Sequence, residues 1–389
     1  MHPSLNAKFV EPPPLRPKEL MERNEPCWCG SGKKWKICHR DRHLQPKIQI
    51  GKLLKEMYQI EKKGICLHPN ASKITCSNKI IKAHTVQRAG GLSRISEKGH
   101  VISERKGFEN IFKNLGQIVP ELIGIGSAST FMGFCSGHDN SLFVPIEKSS
   151  FSLNHETSFL LAFRAIAYEY LSKKNAIKIV KIQRDMDKGM DFSTQVSIQN
   201  FLHVYQTGCL RGMQDLKGWK AEYDKRFIEN DYTSMPHYAV EFKGTLPLVC
   251  CGGFYPEVDF DGNKLQLISR GNSKFEHVCI NISACGDKSF IAFGWHGINE
   301  GPAEQFVKSF KRIKDTEKAN AALMLAVEQS ENTYFRPSWW NGLNDTNRTH
   351  LIDRMRSGVF DSTIRPESTY RNMIKILPDT EVANEIWNV

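Results

Sequence analysis

Two groups of cysteine and histidine near the start of the chain have the residue types and gaps of metal ligands. The first runs Cys27-Trp28-Cys29, then Gly30 to Ile37, then Cys38-His39. Two ligand pairs separated by a turn offer four soft or borderline donors, the set that Zn²⁺ takes in a tetrahedron. Gly30 and Gly32 let the backbone turn tightly between the pairs. A unit this short has almost no apolar core, so metal is expected to supply its folding energy. The second group is spread wider: Cys66, His68, Cys76, His84, His100, and finally Cys135-Ser136-Gly137-His138-Asp139-Asn140. Cys66 and Cys76 form one pair, and Cys135 and His138 another with the two-residue gap of a zinc knuckle. His68 competes with Cys66 or Cys76 for a place in that set. His100 reads as a surface residue at a strand start.

The rest of the composition fits this reading. The chain has 389 residues and 11 cysteines, six of them in the two groups. No apolar run reaches the about 18 residues that a spanning helix needs, and Met1–Pro14 lacks a signal-peptide core. A cytoplasmic protein without a membrane segment is therefore expected, with its thiols reduced. Cys209, Cys250, Cys251, Cys279 and Cys285 stand in apolar or strand-like surroundings and read as small buried hydrophobes. Net charge is +11, placed unevenly: residues 1–110 hold 22 Lys and Arg against 10 Asp and Glu, and the other 279 hold 31 against 32. Such a concentration draws phosphate backbones, so nucleic acid is the expected partner. Lys33, Lys34, Lys36, Lys79, Lys82, Arg88 and Arg94 are the candidate contacts.

The first group resembles the SEC-C motif, known from the tail of the SecA translocase and from many unrelated bacterial proteins. The resemblance covers the Gly-Ser-Gly-Lys-Lys run as well as the four ligands. It implies a structural Zn²⁺ on Cys27, Cys29, Cys38 and His39 and an attachment role toward protein, ribosome or nucleic acid. It implies no activity. The second group resembles an HNH, or treble-clef, nuclease domain. That resemblance implies a second structural Zn²⁺ on Cys66, Cys76, Cys135 and His138. It makes His84 the general base and Asp139, or Asn140, the holder of Mg²⁺ or another divalent ion. Three departures stand out. The nine residues between Cys66 and Cys76 make a looser pair than the usual two-residue gap. Ala83 occupies the place of the usual acidic residue, and 50 residues separate His84 from Cys135. SEC-C fingers joined to nuclease-like domains in bacteria imply a stress or phage-defence setting.

Elements must position these residues. A Pro-rich, disordered lead is expected over residues 1–23, the finger over 24–43, and a linker helix over 44–63 from the spacing of Ile50, Leu53, Leu54, Met57 and Ile60. The zinc domain is placed at 64–148, with strands at KIIKAHTV and HVIS. Residues 150–389 read as an α+β domain of unknown role. A helix starts near Asn154, with Gly189, Gly208, Gly212 and Gly218 expected to break or thin the helical stretch. About four antiparallel strands follow over 237–297, with turns at Asp261-Gly262 and Gly271-Asn272. No P-loop, nucleophile-elbow or zincin motif occurs. The fold class is α+β: a small finger, a ββα zinc domain, and a larger helical and antiparallel-sheet domain. DNA versus RNA and the oligomeric state are left open.

Overall fold

A computed structural model of the chain describes residues 14–18, 20–77, 79–104, 114, 119–148, 151–267, 275–360 and 373–388. Along the chain come α1 (Trp35–Cys38), α2 (Ile50–Lys62), β1 (Ile80–His84), α3 (Ser93–Ile95), β2 (His100–Glu104), β3 (Pro120–Gly124), β4 (Thr130–Cys135) and α4 (Ser136–Glu147). Two long helices follow, α5 (His155–Gln183) and α6 (Phe192–Glu229). Then come β5 (His237–Lys243), β6 (Leu248–Phe254), β7 (His277–Cys285), β8 (Lys288–His296), α7 (Pro302–Lys311), α8 (Asp315–Gln329), β9 (Thr333–Phe335), α9 (Pro337–Asn341), α10 (Asp345–Phe360) and β10 (Val382–Asn388). No described helix is long and apolar enough to cross a membrane.

The chain divides into two compact units. The first gathers described residues of 14–64 and 170–217; the second gathers 65–169, 218–267 and 275–388. Leu15 donates its N–H to Asn200 Oδ1 at 2.7 Å and accepts from Asn200 Nδ2 at 3.2 Å, which ties it to α6. Residues 1–13 lie outside the described residues, as does the Gly271-Asn272 turn.

In the second unit, eight strands form an antiparallel sheet in the order β10-β5-β8-β7-β6-β9-β2-β3. Sequence patterning finds about half of it. It misses β10, the short β9, and the joining of β2 and β3 to strands more than a hundred residues away. Alternation sets the packing: Val278, Ile280, Ile282 and Ile291, Phe293, Trp295 face Phe306, Phe310, Leu323 and Met324 of α7 and α8 in one core. Each such side chain contributes about 1.5–3 kcal/mol by leaving water. The opposite face of β8 meets α5, where a Cβ on Gly294 would stand 2.5 Å from Ala162 Cβ. Asn154 begins α5 as expected, its Oδ1 accepting the Thr157 N–H at 2.9 Å.

Of the four glycines expected to weaken the helices, one does so. Gly189 adopts φ +70° between α5 and α6, where a Cβ would come 2.7 Å from the Gln45 carbonyl. Gly208 and Gly218 lie inside α6, where a Cβ would meet nothing within 4 Å. Their intrinsic cost of about 1 kcal/mol each is outweighed by the rest of a 38-residue helix.

Candidate metal centres and the His84 site

The finger folds as its glycines require. Gly30 and Gly32 take φ of +71° and +73°, and the turn they make lets Cys27 N–H reach the Lys33 carbonyl at 2.8 Å. Cys38 closes α1 and His39 follows it, so both pairs face inward. Cys27, Cys29, Cys38 and His39 are all buried, with their donor atoms within 4.8 Å of one another. Cys27 Sγ and Cys38 Sγ each lie 3.2 Å from His39 Nδ1, and Cys29 Sγ lies 3.6 Å from Cys38 Sγ. A zinc tetrahedron with Zn–S near 2.3 Å and Zn–N near 2.05 Å has edges of about 3.5–3.8 Å. Three thiols and one imidazole at these separations fit Zn²⁺.

The finger has more support than its length implies. Trp28 is buried, its ring 4.6 Å from His39 and 5.9 Å from Phe192. Leu15, Met21, Trp35 and Val196 pack around the cysteines. Asp187, fully buried between α5 and α6, accepts from His39 Nε2 at 2.8 Å, from Gln199 Nε2 at 2.8 Å and from Arg42 Nε. Holding the proton on Nε2 leaves Nδ1 unprotonated toward the thiols, the arrangement a zinc-ligating histidine needs. Arg184 Nη1 donates to the Cys29 carbonyl at 3.0 Å and to Gln199 Oε1 at 2.7 Å.

The second cluster sits on a ribbon followed by a helix. β1 and β4 pair antiparallel, Ile80 opposite Cys135 and His84 opposite Thr130, and α4 begins at the next residue. The segment around Cys66 lies along β4, with Ile65 N–H to Met132 O at 3.0 Å and Leu67 N–H to Gly133 O at 2.8 Å. Cys66, Cys76, Cys135 and His138 form a second group within 4.8 Å. Their sulfur atoms stand 3.4, 3.6 and 3.3 Å from His138 Nδ1, again near zinc edges. Burial works against the Cys135 thiolate, but hydrogen bonds from Ser77 and from the His138 backbone bring the thiol down to about 6. His68 is outside the set. Its ring stacks on His138 at 4.0 Å and 3°, and burial together with His138 and Lys220 lowers it to about 4. His68→Ala is expected to leave zinc content unchanged by elemental analysis, whereas Cys66→Ser loses the ion from this cluster.

His84 ends β1, and both chain directions beyond it are fixed. Thr85 N–H donates to Ser129 O at 2.7 Å, and Asn332 Nδ2 donates to Thr85 Oγ1 at 2.6 Å. His84 Nε2 is 3.1 Å from the Ile125 carbonyl, so Nε2 carries the proton and Nδ1 is the basic nitrogen. Burial lowers the imidazole below its ordinary value, helped by Arg88 and Arg164 and opposed by the Ile125 hydrogen bond and Glu147. Asp139 stands in the first turn of α4, half-buried, and burial raises its carboxyl, helped by Glu147 and opposed by Arg164. His84 and Asp139 thus share two charged neighbours, Glu147 and Arg164, which no sequence motif marks. Asn140 is exposed. Among the described residues, His84 and Asp139 join no third His, Cys, Asp or Glu in a cluster as tight as the zinc groups. Mg²⁺ needs less, since it keeps waters and takes one or two carboxylates beside substrate phosphate. The insertion after His84 contains β2 and β3, which join the large sheet. His100 is exposed at the start of β2, its Nδ1 2.8 Å from Lys98 O.

The finger decides what this chain shares with known proteins. Residues 23–41 match the SEC-C motif. The chain is similar over a short segment to part of a methionine aminopeptidase of Chlamydia pneumoniae, 53% identical over 38 residues, 10% of this chain and 12% of that protein. It is also similar to part of the protein translocase subunit SecA of Pseudomonas putida, 65% identical over 26 residues, 7% of this chain and 3% of that protein. The chain therefore spans a small fraction of the curated relatives it matches. No solved structure matches it. The SEC-C motif marks a zinc-binding module, and both Cys/His clusters are compatible with zinc. Lys33, Lys34, Lys79, Lys82, Arg88 and Arg94 are exposed, and Lys36 is half-buried. The five later cysteines are buried, as expected.

Proposed function

We propose that this chain is a zinc-containing nucleic-acid-binding protein whose His84 site cleaves phosphodiesters in the manner of an HNH nuclease. One observation carries the reading: a part-buried imidazole closes the first strand of a zinc-cluster ribbon, with Nε2 committed to Ile125 and charged neighbours in common with Asp139. The treble-clef description follows from the same order of ligand pair, ribbon, ligand pair and helix. Because burial favours the neutral ring, Nδ1 is unprotonated at neutral pH and loses that capacity as pH falls through its lowered value. It takes a proton from water as the water oxygen bonds to phosphorus and the P–O bond to the leaving oxygen breaks. Asp139 would hold a divalent ion, which would supply positive charge for the leaving oxygen. Lys79, Lys82, Arg88 and Arg94 supply the field that gathers a polyanion. A bacterial defence setting is consistent with this chemistry.

The test is cleavage of single- and double-stranded DNA and RNA by the zinc-loaded full chain, with Mg²⁺, Mn²⁺, Ni²⁺ or added Zn²⁺. His84→Ala is expected to lose about 10²–10⁴-fold in rate with zinc content and fold unchanged. Cleavage that survives the substitution assigns the activity elsewhere and ends the proposal.

A second reading is a non-catalytic adaptor that docks on ribosome, RNA or protein. Ala83 before His84 and the exposed Lys33, Lys34 and Arg40 of the finger favour it. Salt-sensitive binding without cleavage under any of the four ions selects the adaptor.

A further inference from the structure

Asp139, Phe143 and Glu147 are spaced four residues apart, so they lie along one face of α4. Arg164 of α5 covers that face. Its guanidinium carbon stands 4.0 Å from the centroid of the Phe143 ring, and its Nη2 donates to Glu147 Oε1. The Arg164 side chain is 2% exposed, whereas that of Glu147 is 41% exposed. Two of the guanidinium donors, Nε and Nη1, have no hydrogen-bond partner among the described residues.

A buried cation held by a single half-exposed carboxylate is a costly way to fill space. An apolar side chain over Phe143 would be cheaper, since burying unpaired charged donors opposes folding. What the position gains from arginine is charge, and that charge reaches both His84 and Asp139. The groups facing His84 are Arg88 on the turn after β1, Glu147 on α4, Arg164 on α5 and the Ile125 carbonyl. Arg164 is the buried member of that set. Arg88 is exposed, and its field is correspondingly screened by solvent.

We infer that Arg164 is a positioning residue of the His84 site: it clamps the Asp139 face of α4 and sets the charge that the His84 imidazole meets. The inference rests on the reading of His84 as a general base. It assigns Arg164 no contact with substrate. Its action runs through the imidazole, which a neighbouring buried cation keeps uncharged at lower pH than solvent alone would.

The experiment compares Arg164→Gln and Arg164→Lys in the zinc-loaded full chain, by two readouts. The first is the pH dependence of cleavage, and the second is the titration midpoint of the His84 imidazole by NMR without substrate. Removing the charge in Arg164→Gln is expected to move the acid limb and the midpoint upward by about one pH unit, which is about tenfold in rate on that limb. Arg164→Lys keeps the charge and is expected to leave both within about 0.3 unit, on the same scale. Equal shifts in the two variants, or no shift in Arg164→Gln, overturn the inference. Should Arg164→Gln fail to fold, Glu147→Gln serves instead. It removes the opposing charge at a half-exposed site, and the midpoint is expected to fall; an unchanged midpoint overturns the inference. A wild-type chain that cleaves nothing sinks the nuclease reading alone, because the imidazole midpoint still decides the role of Arg164.

Discussion

Elemental analysis of the purified chain is expected to return two zinc ions, and one in Cys29→Ser or Cys76→Ser. Each cluster presents three sulfur atoms and one imidazole nitrogen within 4.8 Å of one another, a donor set that suits tetrahedral zinc. Structural zinc in finger peptides is worth about 10–16 kcal/mol of apparent binding free energy at neutral pH, so both clusters should retain metal through gel filtration. The two losses should differ in consequence. In Cys29→Ser the finger residues lose the centre around which Trp28, Trp35 and Leu15 pack. In Cys76→Ser the loop before β1 is released, while β1 and β4 keep their own pairing. Circular dichroism and proteolysis on the two variants should therefore open different segments, near residue 30 and near residue 70. A chain that folds fully without metal would remove the basis for both centres.

Asp187→Ala is the second large effect. The carboxylate is fully buried and takes hydrogen bonds from His39, Arg42 and Gln199 at once. Removing it frees the His39 ring to turn and to change tautomer, which typically costs about 10–100-fold in metal affinity. It also leaves the Arg42 guanidinium, 8% exposed, without its main partner. Breaking a buried pair in this way costs about 3–5 kcal/mol. A competition titration with a zinc chelator reads the first effect, and urea denaturation reads the second. Asp185→Asn is the control. Its side chain is 43% exposed and shares Arg42 at 3.2 Å, and it should cost under about 1 kcal/mol. Wild-type zinc affinity in Asp187→Ala would show that the carboxylate does not orient the ligand.

What the sequence discloses follows from how local each signal is. The candidate zinc ligands are legible because their spacing within the chain would set their spacing around an ion, and Cys29, Cys38, Cys135 and His138 need only a turn or a helix start between them. β1, β2 and α2 are legible through period-two and helical apolar spacing. Asp187 and Arg164 are not. Each is one polar residue in a segment with no repeating pattern, and each matters only through a partner on another element: His39 for the first, and α4 for the second. The sheet fails for the same reason. β2 and β3 look like parts of a small zinc domain, and nothing near them in the chain announces that β2 pairs with β9 through Ile102 and Phe335. The 50-residue gap that departs from the nuclease pattern is accounted for by that excursion.

The pairing of His39 with Asp187 also bears on how the chain matures. These residues are 148 positions apart. A ribosome adding roughly 5–20 residues per second exposes the four finger ligands about 7–30 s before their orienting carboxylate. During that interval a nascent finger has its thiols but lacks the group that locks the imidazole. Metal capture is then weaker and more readily reversed, and the emergence of Asp187 converts a provisional finger into a permanent one.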